Sequence, residues 1–481
     1  MKEKTANILT ILLTITLLTI PLSFIVLNTE LIVGDELWNF QNIVKMINGG
    51  KMYVDCNIII TPIFYLLGYC FIKVITGTIL GFRIYNIVIF LFLLLSSFIL
   101  FRKLKIDKIK SLIYTLLLFV FIMPYISDGA SYNVLAESIF ILGIALFLNK
   151  DKIKYYNFCQ GFIIFACIFT KQNIGLYYFL ALIIAEFIIY KNIKDIIQEL
   201  IVAVLLGTIS IIIMYPAGCL KGFFNYTVFG MREFTSQNLK IQDTVGIIVI
   251  GYLLIAICSY FLAFLLSKQY KESQKEFKVL IIFSIFLNLS ALPIINLYHV
   301  TFSILINVII FIYIIEKMLL CKLDKKSVLI SIAIVIYLII NSYGIFCGYK
   351  VSKNKKITNK SNVYFSSNMS YETEENLKAV SKYIQNREKD GIDVICITSD
   401  AALYMTYLNK NHGELDLCFV GNLGRQGKEG IINKIKELDE NTEILINKNS
   451  YWQEINQLKE FVMNNYKNDG EIGDLIIYKN K

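Results

Sequence analysis

Residues 34–65 read GDELWNFQNIVKMINGGKMYVDCNIIITPIFY and directly follow the first long apolar run of the chain. Two adjacent acids, Asp35 and Glu36, therefore come at a predicted membrane boundary. A charged side chain at membrane depth costs about 3 kcal/mol or more, so such residues are candidates for a function. The same pair also suits the first turn of a surface-lying helix, because the helix dipole favours negative charge there.

An apolar stripe runs on from the two acids. Leu37, Phe40, Val44 and Ile47 recur at the spacing of one face of a helix. The Gly-Gly pair at 49–50 predicts the end of that helix. The stretch therefore predicts an amphipathic helix that begins with the two acids and lies at the membrane boundary.

The next segment, residues 58–76, is apolar but is broken by Thr61-Pro62 and by Gly68. We interpret it as a second helix along the membrane surface, with a full membrane span as the alternative. Both ends of the loop 28–81 are predicted to lie outside the membrane. The loop therefore crosses the membrane an even number of times, and zero crossings is the simplest case.

The composition predicts a membrane protein. Of 481 residues, 56% are hydrophobic and only 17% are charged, whereas soluble chains carry about 25% charged residues. The ten cysteines lie mostly in apolar runs without a CxxC pair, which predicts neither a disulfide framework nor a zinc ribbon. The net charge of +10 is concentrated between apolar runs, so it indicates topology and no nucleic-acid partner.

The basic residues orient the chain. Lys2 and Lys4 precede the first span, and further basic clusters lie at 102–110, 150–154 and 268–278. By the positive-inside rule these segments are cytoplasmic, as is 317–326. We therefore predict a multi-pass protein of the bacterial cell membrane, with its amino terminus inside and its carboxyl terminus outside. About eleven spans are predicted, near residues 6–27, 82–101, 111–126, 133–149, 156–170, 174–190, 197–215, 244–266, a span ending near 297, 301–316 and 328–347.

The chain changes character after the last predicted span. We predict a transmembrane domain over 1–348 with the large external loop 28–81, a linker over 349–370, and an external α/β domain over 371–481. Short apolar runs alternate there with helical patterns, which predicts a small parallel sheet. The predicted strands are 393–398, 415–420, 442–446 and 474–478, and the predicted helices are 401–408, capped by Asp400, 428–438 and 451–466.

Acids and bases collect at the predicted outer ends of the spans. A carboxylate can take the proton of an acceptor hydroxyl as a general base. Lysine, arginine and histidine can hold a phosphate leaving group, and a lipid-linked substrate explains a site at the bilayer surface. The alternative is that each is an ordinary solvated, snorkelling or interfacial side chain. The residues are Asp35, Glu36, Asp55, Asp128, Glu137, Lys171, Arg232 and His299.

Several short motifs, taken in order, resemble the opening of GT-C glycosyltransferases. That superfamily includes dolichyl-phosphate-mannose-protein mannosyltransferases, bacterial aminoarabinose transferases and lipopolysaccharide-core transferases. The resemblance covers roughly residues 5–320. The motifs are GDE at 34–36, NGG at 48–50, KMYVD at 51–55, TP at 61–62, GFRIY at 81–85, FTKQ at 169–172 and YH at 298–299.

The resemblance implies a GT-C-like fold and a polyprenyl-phosphate-linked sugar as donor. It implies inverting transfer, outside the membrane, to a cell-envelope glycan, a lipid or a protein. Many members have two prolines where this chain has Thr61-Pro62. Some members bind a divalent metal near the catalytic acid, so the resemblance leaves open whether this chain uses one. The implied catalytic residues are Asp35 and its neighbour Glu36; the donor-phosphate contacts are Arg83, Lys171, Arg232 and His299; and Asp55, Asp128 and Glu137 are candidates for acceptor binding or a second acid.

Two other classes of function compete with this one. A transporter or lipid flippase is the first, although matching halves, which transporters often show, are missing from the sequence. A membrane-anchored binding protein that works through its α/β domain is the second, and it leaves the acids of the first loop unexplained. The glycosyltransferase hypothesis predicts that Asp35, Lys171 and His299 line one outward-facing cavity.

Overall fold

The computed structural model describes residues 16, 18–27, 29, 31, 34–75, 77–126, 131–231, 234–235, 246–320, 357–358, 369–398, 400–416, 418, 422–449 and 455–481. The chain divides into two compact units. Unit 1 consists of residues 1–26, 86–210 and 239–354, and unit 2 of residues 27–85, 211–238 and 355–481.

Helices dominate both units. In chain order they are α1 (Leu18–Leu27), α2 (Asp35–Ile47), α3 (Ile63–Ile75), α4 (Ile79–Lys103), α5 (Lys108–Ile122), α6 (Ser131–Phe147), α7 (Tyr156–Thr170), α8 (Gln172–Ile189), α9 (Ile193–Met214), α10 (Leu220–Phe223), α11 (Gly246–Gln269), α12 (Gln274–Asn288), α13 (Leu297–Ser303), α14 (Leu305–Leu320), α15 (Tyr371–Lys389), α16 (Ala401–Leu408), α17 (Gly427–Lys436) and α18 (Asn456–Asn465). The strands are β1 (Ile357–Thr358), β2 (Met369–Ser370), β3 (Asp393–Cys396), β4 (Thr442–Asn447), β5 (Lys467–Ile472) and β6 (Leu475–Lys479).

Five helices of the described residues are long and apolar enough to cross a membrane, and α13 and α14 form a sixth candidate bent by 45°. The five are Ile79–Lys103, Lys108–Tyr125, Gln172–Ile189, Ile193–Met214 and Ile250–Gln269. Each coincides with a predicted span, so the chain has the fold of a polytopic helical membrane protein. Two further predicted spans coincide with the shorter apolar helices α6 and α7. The predicted span 328–347 lies outside the described residues, and the total of eleven stays a prediction.

Three aromatic rings form a packing centre in unit 1. Phe140 of α6, Tyr178 of α8 and Phe283 of α12 are fully buried, with ring centroids 5.0 to 5.8 Å apart. The Tyr178 hydroxyl donates a hydrogen bond to Gln160 Oε1 over 2.6 Å. A Cβ atom at Gly143 would lie 2.2 Å from that hydroxyl, so a side chain there would separate α6 from α8.

Unit 2 contains the segment whose nature the sequence left open. α3 has 13 residues and is therefore about 20 Å long, whereas the hydrocarbon core is about 30 Å thick. Its Phe64 and Ile72 are fully buried, while Leu66 and Val74 are exposed. A short helix with one packed and one exposed apolar face favours the surface-lying interpretation over a full span.

The sheet of unit 2 is mixed, so the prediction of a parallel sheet was wrong. Its strand order is β3-β4-β6-β5, with β3 and β4 parallel and the other two pairs antiparallel. β5 and β6 are joined by a tight turn in which Gly473 has φ +54°, and a turn that short can only join antiparallel strands. β5, with the sequence KNDGEI, is largely exposed, so no apolar alternation revealed it.

Other predictions for this region were partly right. The helix Ala401–Leu408 is observed as predicted, but the carboxylate of Asp400 accepts hydrogen bonds from Thr398 and Tyr404 instead of capping the helix. The predicted strand 415–420 is wrong at its start, because Leu415 ends a short 3-10 turn. The predicted helices 428–438 and 451–466 correspond to α17 and α18.

The carboxyl-terminal residues share their unit with the first loop. Residues 355–481 form one compact unit with 27–85 and 211–238, and the division into 1–348, 349–370 and 371–481 stays a prediction. α2 packs against both α3 and α16 within that unit.

Candidate functional site

The two acids of the first loop begin α2, as the sequence predicts. α2 starts at Asp35, has both acids in its first turn and ends at Ile47. Gly49 follows with φ +94°, a conformation that suits glycine. Asp35 is partly exposed, whereas only 4% of Glu36 is exposed. The adjacent acids therefore have different surroundings.

Glu36 is paired with a residue for which the resemblance implies another role. Arg83 Nε lies 2.6 Å from Glu36 Oε1, and Arg83 Nη2 donates to Glu36 Oε2 over 3.0 Å. Nη1 of the same guanidinium donates to the carbonyl oxygen of Thr29 over 2.8 Å. The guanidinium of Arg83 thus donates to both Glu36 and Thr29 inside unit 2. This buried pair joins the first turn of α2 to α4.

Asp55 closes the turn that follows α2. Its Oδ2 atom accepts a hydrogen bond of 2.6 Å from the backbone N–H of Lys51, and its own N–H donates to the carbonyl oxygen of Lys51 over 2.9 Å. The carboxylate thereby stabilises the backbone conformation of residues 51–55. Thr61 lies buried beyond this turn.

The polar face of α2 is covered by protein, which the sequence did not reveal. Lys45 Nζ lies 2.7 Å from Asp416 Oδ2, with only 3% and 1% of the two side chains exposed. Gln41 and Asn42 on the same helix are also buried. An amphipathic pattern normally indicates a solvated polar face, but here residues of the carboxyl-terminal region cover it.

His412 extends this ion pair into the sheet. Its Nδ1 atom lies 3.2 Å from Asp416 Oδ1, and its Nε2 atom lies 3.3 Å from Asp393 Oδ1. Burial alone would lower the pKa of His412, but the hydrogen bond and charge of Asp416, with those of Asp393, outweigh it and raise the pKa. Burial would likewise raise the pKa of Asp416, but His412 and Lys45 lower it overall.

Lys171 is the single residue that joins α7 to α8 in unit 1. Its backbone is extended, with φ −153° and ψ 111°. A Cβ atom at Gly175 would lie 2.3 Å from the backbone nitrogen of Ile168, so glycine lets α8 fold back closely on α7 after this corner. Lys171 Nζ donates to Asn133 Oδ1 and lies 5.4 Å from the centre of the Tyr132 ring.

Glu137 is the acid that accompanies Lys171. It lies one helical turn after Asn133 on α6, only 2% of it is exposed, and it interacts electrostatically with Lys171. One of its carboxylate oxygens has no hydrogen-bond partner among the described residues. A buried carboxylate in this state is costly unless a cation compensates its charge.

His299 begins a helix with a defined hydrogen-bond pattern. Asn296, which caps α13, accepts at Oδ1 from the backbone N–H of His299 over 2.9 Å, and His299 Nδ1 lies 2.8 Å from the same oxygen. An amide oxygen can only accept, so Nδ1 carries the proton and Nε2 is the acceptor of the neutral ring. Lys171 also interacts electrostatically with His299, so the two bases belong to one neighbourhood of unit 1.

The structure thus brings the candidates into two groups, one in each unit. Lys171, His299 and Glu137 belong to unit 1, whereas Asp35, Glu36, Asp55 and Arg83 belong to unit 2. Asp128 and Arg232 lie outside the described residues. The predicted convergence of Asp35, Lys171 and His299 on one cavity stays a prediction.

Sequence reasoning missed several partners of these groups. Asn133 and Asn296 are ordinary polar residues at the predicted outer ends of apolar spans, and only that position could have drawn attention to them. Lys45 lacked any such signal, because a lysine within an amphipathic helix is normally solvated. His412, one of two histidines in the chain, could have been singled out by rarity alone.

A divalent metal is the cofactor that the resemblance leaves open. No three histidine, cysteine, aspartate or glutamate side chains of this part of the chain are grouped so that they could hold a metal ion. A divalent metal therefore stays an open prediction, and the chemistry proposed below takes no step through one.

No protein-family model matches the sequence, and no curated protein matches it significantly. Solved structures do match. ArnT from Cupriavidus metallidurans in the apo state aligns with 100% of this chain and 99% of its own, with a TM-score of 0.58 and 10% sequence identity. The fold of this chain is similar to that of ArnT. The structure of the same protein bound to undecaprenyl phosphate aligns with 99% of this chain and 98% of its own, with a TM-score of 0.56 and 10% identity.

The likeness to ArnT supports the predicted fold of a polytopic helical membrane protein. The ArnT-like fold includes the carboxyl-terminal α/β region, because the alignment covers the whole chain. At 10% identity the likeness to ArnT concerns the fold, and the roles of individual residues have to be argued from the chemistry of each group.

Proposed function

We propose that this protein is an integral-membrane glycosyltransferase that moves a sugar from a polyprenyl-phosphate donor to an extracytoplasmic acceptor. The observation that carries the proposal is the ArnT-like fold of the entire chain, together with the undecaprenyl phosphate bound to one of the ArnT structures. The acceptor is a cell-envelope glycan, a lipid or a protein. The basic clusters support a bacterial cell membrane location with the amino terminus in the cytoplasm and the α/β region outside.

Lys171 and His299 are the donor-phosphate residues in this proposal. The phosphate gains negative charge as its bond to the sugar breaks, so a fixed cation stabilises the transition state more than the ground state. Lys171 is fixed at a one-residue corner and is oriented by Asn133. Glu137 balances the charge of Lys171 when no phosphate is bound. Arg232 is a further candidate phosphate contact because of its positive charge and its place in a predicted outer loop.

Asp35 is the catalytic base. Its carboxylate takes the proton of the acceptor hydroxyl while the hydroxyl oxygen bonds to the anomeric carbon. The bond between that carbon and the phosphate oxygen breaks, and the electron pair leaves with the polyprenyl phosphate. A single displacement from the opposite face inverts the configuration of the sugar. Asp35 suits this role better than Glu36, because Glu36 is held by two hydrogen bonds from Arg83.

Glu36 and Arg83 position the first turn of α2 in this mechanism, and the resemblance alone supports a contact between Arg83 and the donor phosphate. Asp55 is already engaged by the backbone of its own turn, so it contributes to the shape of the loop. Asp128 is the remaining candidate for a second acid, and the resemblance alone supports it.

The experiment that tests the proposal incubates membranes containing the protein with polyprenyl-phosphate sugars labelled in the sugar and in the lipid. A transferase moves the sugar label to an acceptor and leaves polyprenyl phosphate behind. A flippase carries both labels across the bilayer together without breaking the bond between sugar and phosphate. Co-transport of both labels, or no release of sugar from any donor, would overturn the proposal.

A further inference from the structure

We infer that the carboxyl-terminal α/β region is a positioning element for α2, and that it acts through the buried ion pair between Lys45 and Asp416. The inference gives a role to a region for which the sequence suggested none. Its consequence for turnover rests on the proposed function, because the residue positioned at the other end of α2 is Asp35.

The ion pair is buried and well satisfied. The two side chains meet at 2.7 Å with almost no exposure to solvent. Lys45 Nζ also donates to the carbonyl oxygens of Gly413 and Asp55, over 3.3 and 3.4 Å. Removing one partner of such a pair leaves a buried charge without compensation, which is strongly unfavourable. The pair therefore holds the last turn of α2 against the turn 412–416.

The turn 412–416 is itself bonded to the sheet. The backbone N–H of His412 donates to Asp416 Oδ2 over 2.8 Å, and its ring lies between Asp416 and Asp393. Asp393 is the first residue of β3, whose parallel neighbour β4 lies inside the sheet. A continuous series of contacts thus runs from α2 through Lys45, Asp416 and His412 to the sheet of the α/β region.

A second contact reinforces this connection. Asn48, which caps the carboxyl end of α2, donates from Nδ2 to Asn409 Oδ1 over 2.6 Å. Asn409 ends α16 in the left-handed conformation, with φ +56°. Asn57, in the loop after α2, contacts the carbonyl oxygens of Glu414 and Asn422 at 3.4 and 3.5 Å. The α/β region therefore contacts α2 and the following loop through several hydrogen bonds.

α2 is thus held at both ends, by Arg83 at its first turn and by Asp416 at its last. Asp35 and Lys45 are ten residues apart, or about 15 Å along the helix. A helix fixed at one end only can tilt, and a displacement of about 1 Å at a reacting group can cost roughly 100-fold in rate. Loss of the Lys45–Asp416 pair should therefore lower kcat without a matching rise in KM for the lipid donor.

The structure offers a matched control within the α/β region. Glu443 is also 2% exposed and is bound by Arg387 Nε at 2.9 Å and by Tyr383 at 2.6 Å. Lys479 lies 3.2 Å away, so the partners of Glu443 all belong to the α/β region. Glu443→Gln removes a buried charge from the same sheet without removing a contact to α2.

The experiment compares Asp416→Asn with Glu443→Gln in the full-length protein. Hydrogen exchange measured by mass spectrometry reports the protection of the α2 peptide, and it needs no turnover. We expect exchange in α2 to be at least about tenfold faster in Asp416→Asn than in Glu443→Gln at equal loss of melting temperature. Among enzymes with comparable melting temperature, kcat should fall about 10- to 100-fold in Asp416→Asn alone.

His412→Gln is the milder second variant if Asp416→Asn fails to fold. Glutamine keeps a hydrogen-bonding side chain but removes the ring charge that faces Asp416 and Asp393, and we expect a smaller effect in the same direction. Equal α2 exchange in the Asp416 and Glu443 variants would overturn the inference. Absence of sugar transfer by the unaltered protein would instead overturn the proposed function, and the exchange comparison would still decide the positioning role.

Discussion

Arg83 Nε and Glu36 Oε1 lie 2.6 Å apart in the interior of unit 2, where only 2% of the arginine and 4% of the glutamate are exposed. Two charge-assisted hydrogen bonds join the guanidinium to the carboxylate. This two-pronged arrangement is the strongest form of pairing for these groups. This pair anchors the start of α2, beside the residue that we propose as the catalytic base.

Glu36→Gln is therefore expected to lower the stability of the fold more than the rate of sugar transfer. It removes the charge that pairs with the buried Arg83, and breaking a buried ion pair costs about 3–5 kcal/mol. Differential scanning calorimetry of the purified protein should show a clear fall in melting temperature. The rate of sugar transfer per folded molecule should fall less than in Asp35→Asn. Arg83→Lys is the companion variant, because lysine cannot reproduce the two-pronged contact. An unchanged melting temperature in both would contradict the anchoring role.

Asp35→Asn is expected to abolish transfer while the protein stays folded. Asparagine has the same shape, and loss of one negative charge from the first turn of a helix costs only about 0.3–1 kcal/mol. It cannot accept a proton from a hydroxyl at neutral pH, and loss of general base catalysis lowers rates by roughly 10²–10⁴-fold. Transfer of labelled sugar measures the effect. Near-normal turnover would falsify the assignment and move the chemistry to Asp55 or Asp128.

Lys171→Met is expected to lower kcat by about 10²–10³-fold, because it removes a fixed cation from the developing phosphate charge. Binding of undecaprenyl phosphate should weaken as well. Lys150 is the matched control, since its Nζ is also engaged, at 2.7 Å from Glu186 and 2.8 Å from Asp195, but on the predicted cytoplasmic side. If Lys150→Met weakens lipid-phosphate binding as much as Lys171→Met does, Lys171 is not a phosphate contact.

The His412–Asp416 pair predicts a window of stability in pH. The raised pKa of His412 means that its stabilisation is complete below about pH 6.5, the unfolded value, and is lost as the pH rises through the folded value. The lowered pKa of Asp416 means that its stabilisation is present above about pH 4 and is lost as the pH falls through the folded value. Melting temperatures from pH 3 to 9 should show both losses, and His412→Gln should lack the alkaline one. Identical profiles of melting temperature against pH for the unaltered protein and His412→Gln would exclude a contribution of His412 to stability.

The orientation of the chain is open to a direct test. Reporter fusions after Lys110 and after Lys350 should lie on opposite sides of the membrane, because the first follows a dense basic cluster and the second follows the last predicted span. The reporters are an alkaline phosphatase, active outside, and a fluorescent protein, active inside. The same side for both fusions would overturn the topology.

Much of the local structure was predictable from the sequence. The start of α2 at two acids, its end before Gly49, and the positions of five apolar helices follow from propensity, capping and hydropathy. These properties depend on residues within one or two helical turns, and the membrane imposes the same requirement on every span, namely internal backbone hydrogen bonds. The likeness to GT-C transferases was visible for the same reason, since its motifs are short and local.

The pairings that define the candidate sites depended on the tertiary structure. Glu36 finds Arg83 47 positions away, and Lys45 reaches the carbonyl of Gly413 368 positions away. A polar face has the same sequence pattern whether water or another protein surface covers it, so the burial of Lys45 had no local signature. The antiparallel pairing of β5 with β6 was hidden likewise, because an exposed edge strand needs no apolar alternation. The sequence alone determined which segments are helical and membrane-embedded, since those are local properties; folding decided which charges neutralise one another, because charge pairing depends on distance in space.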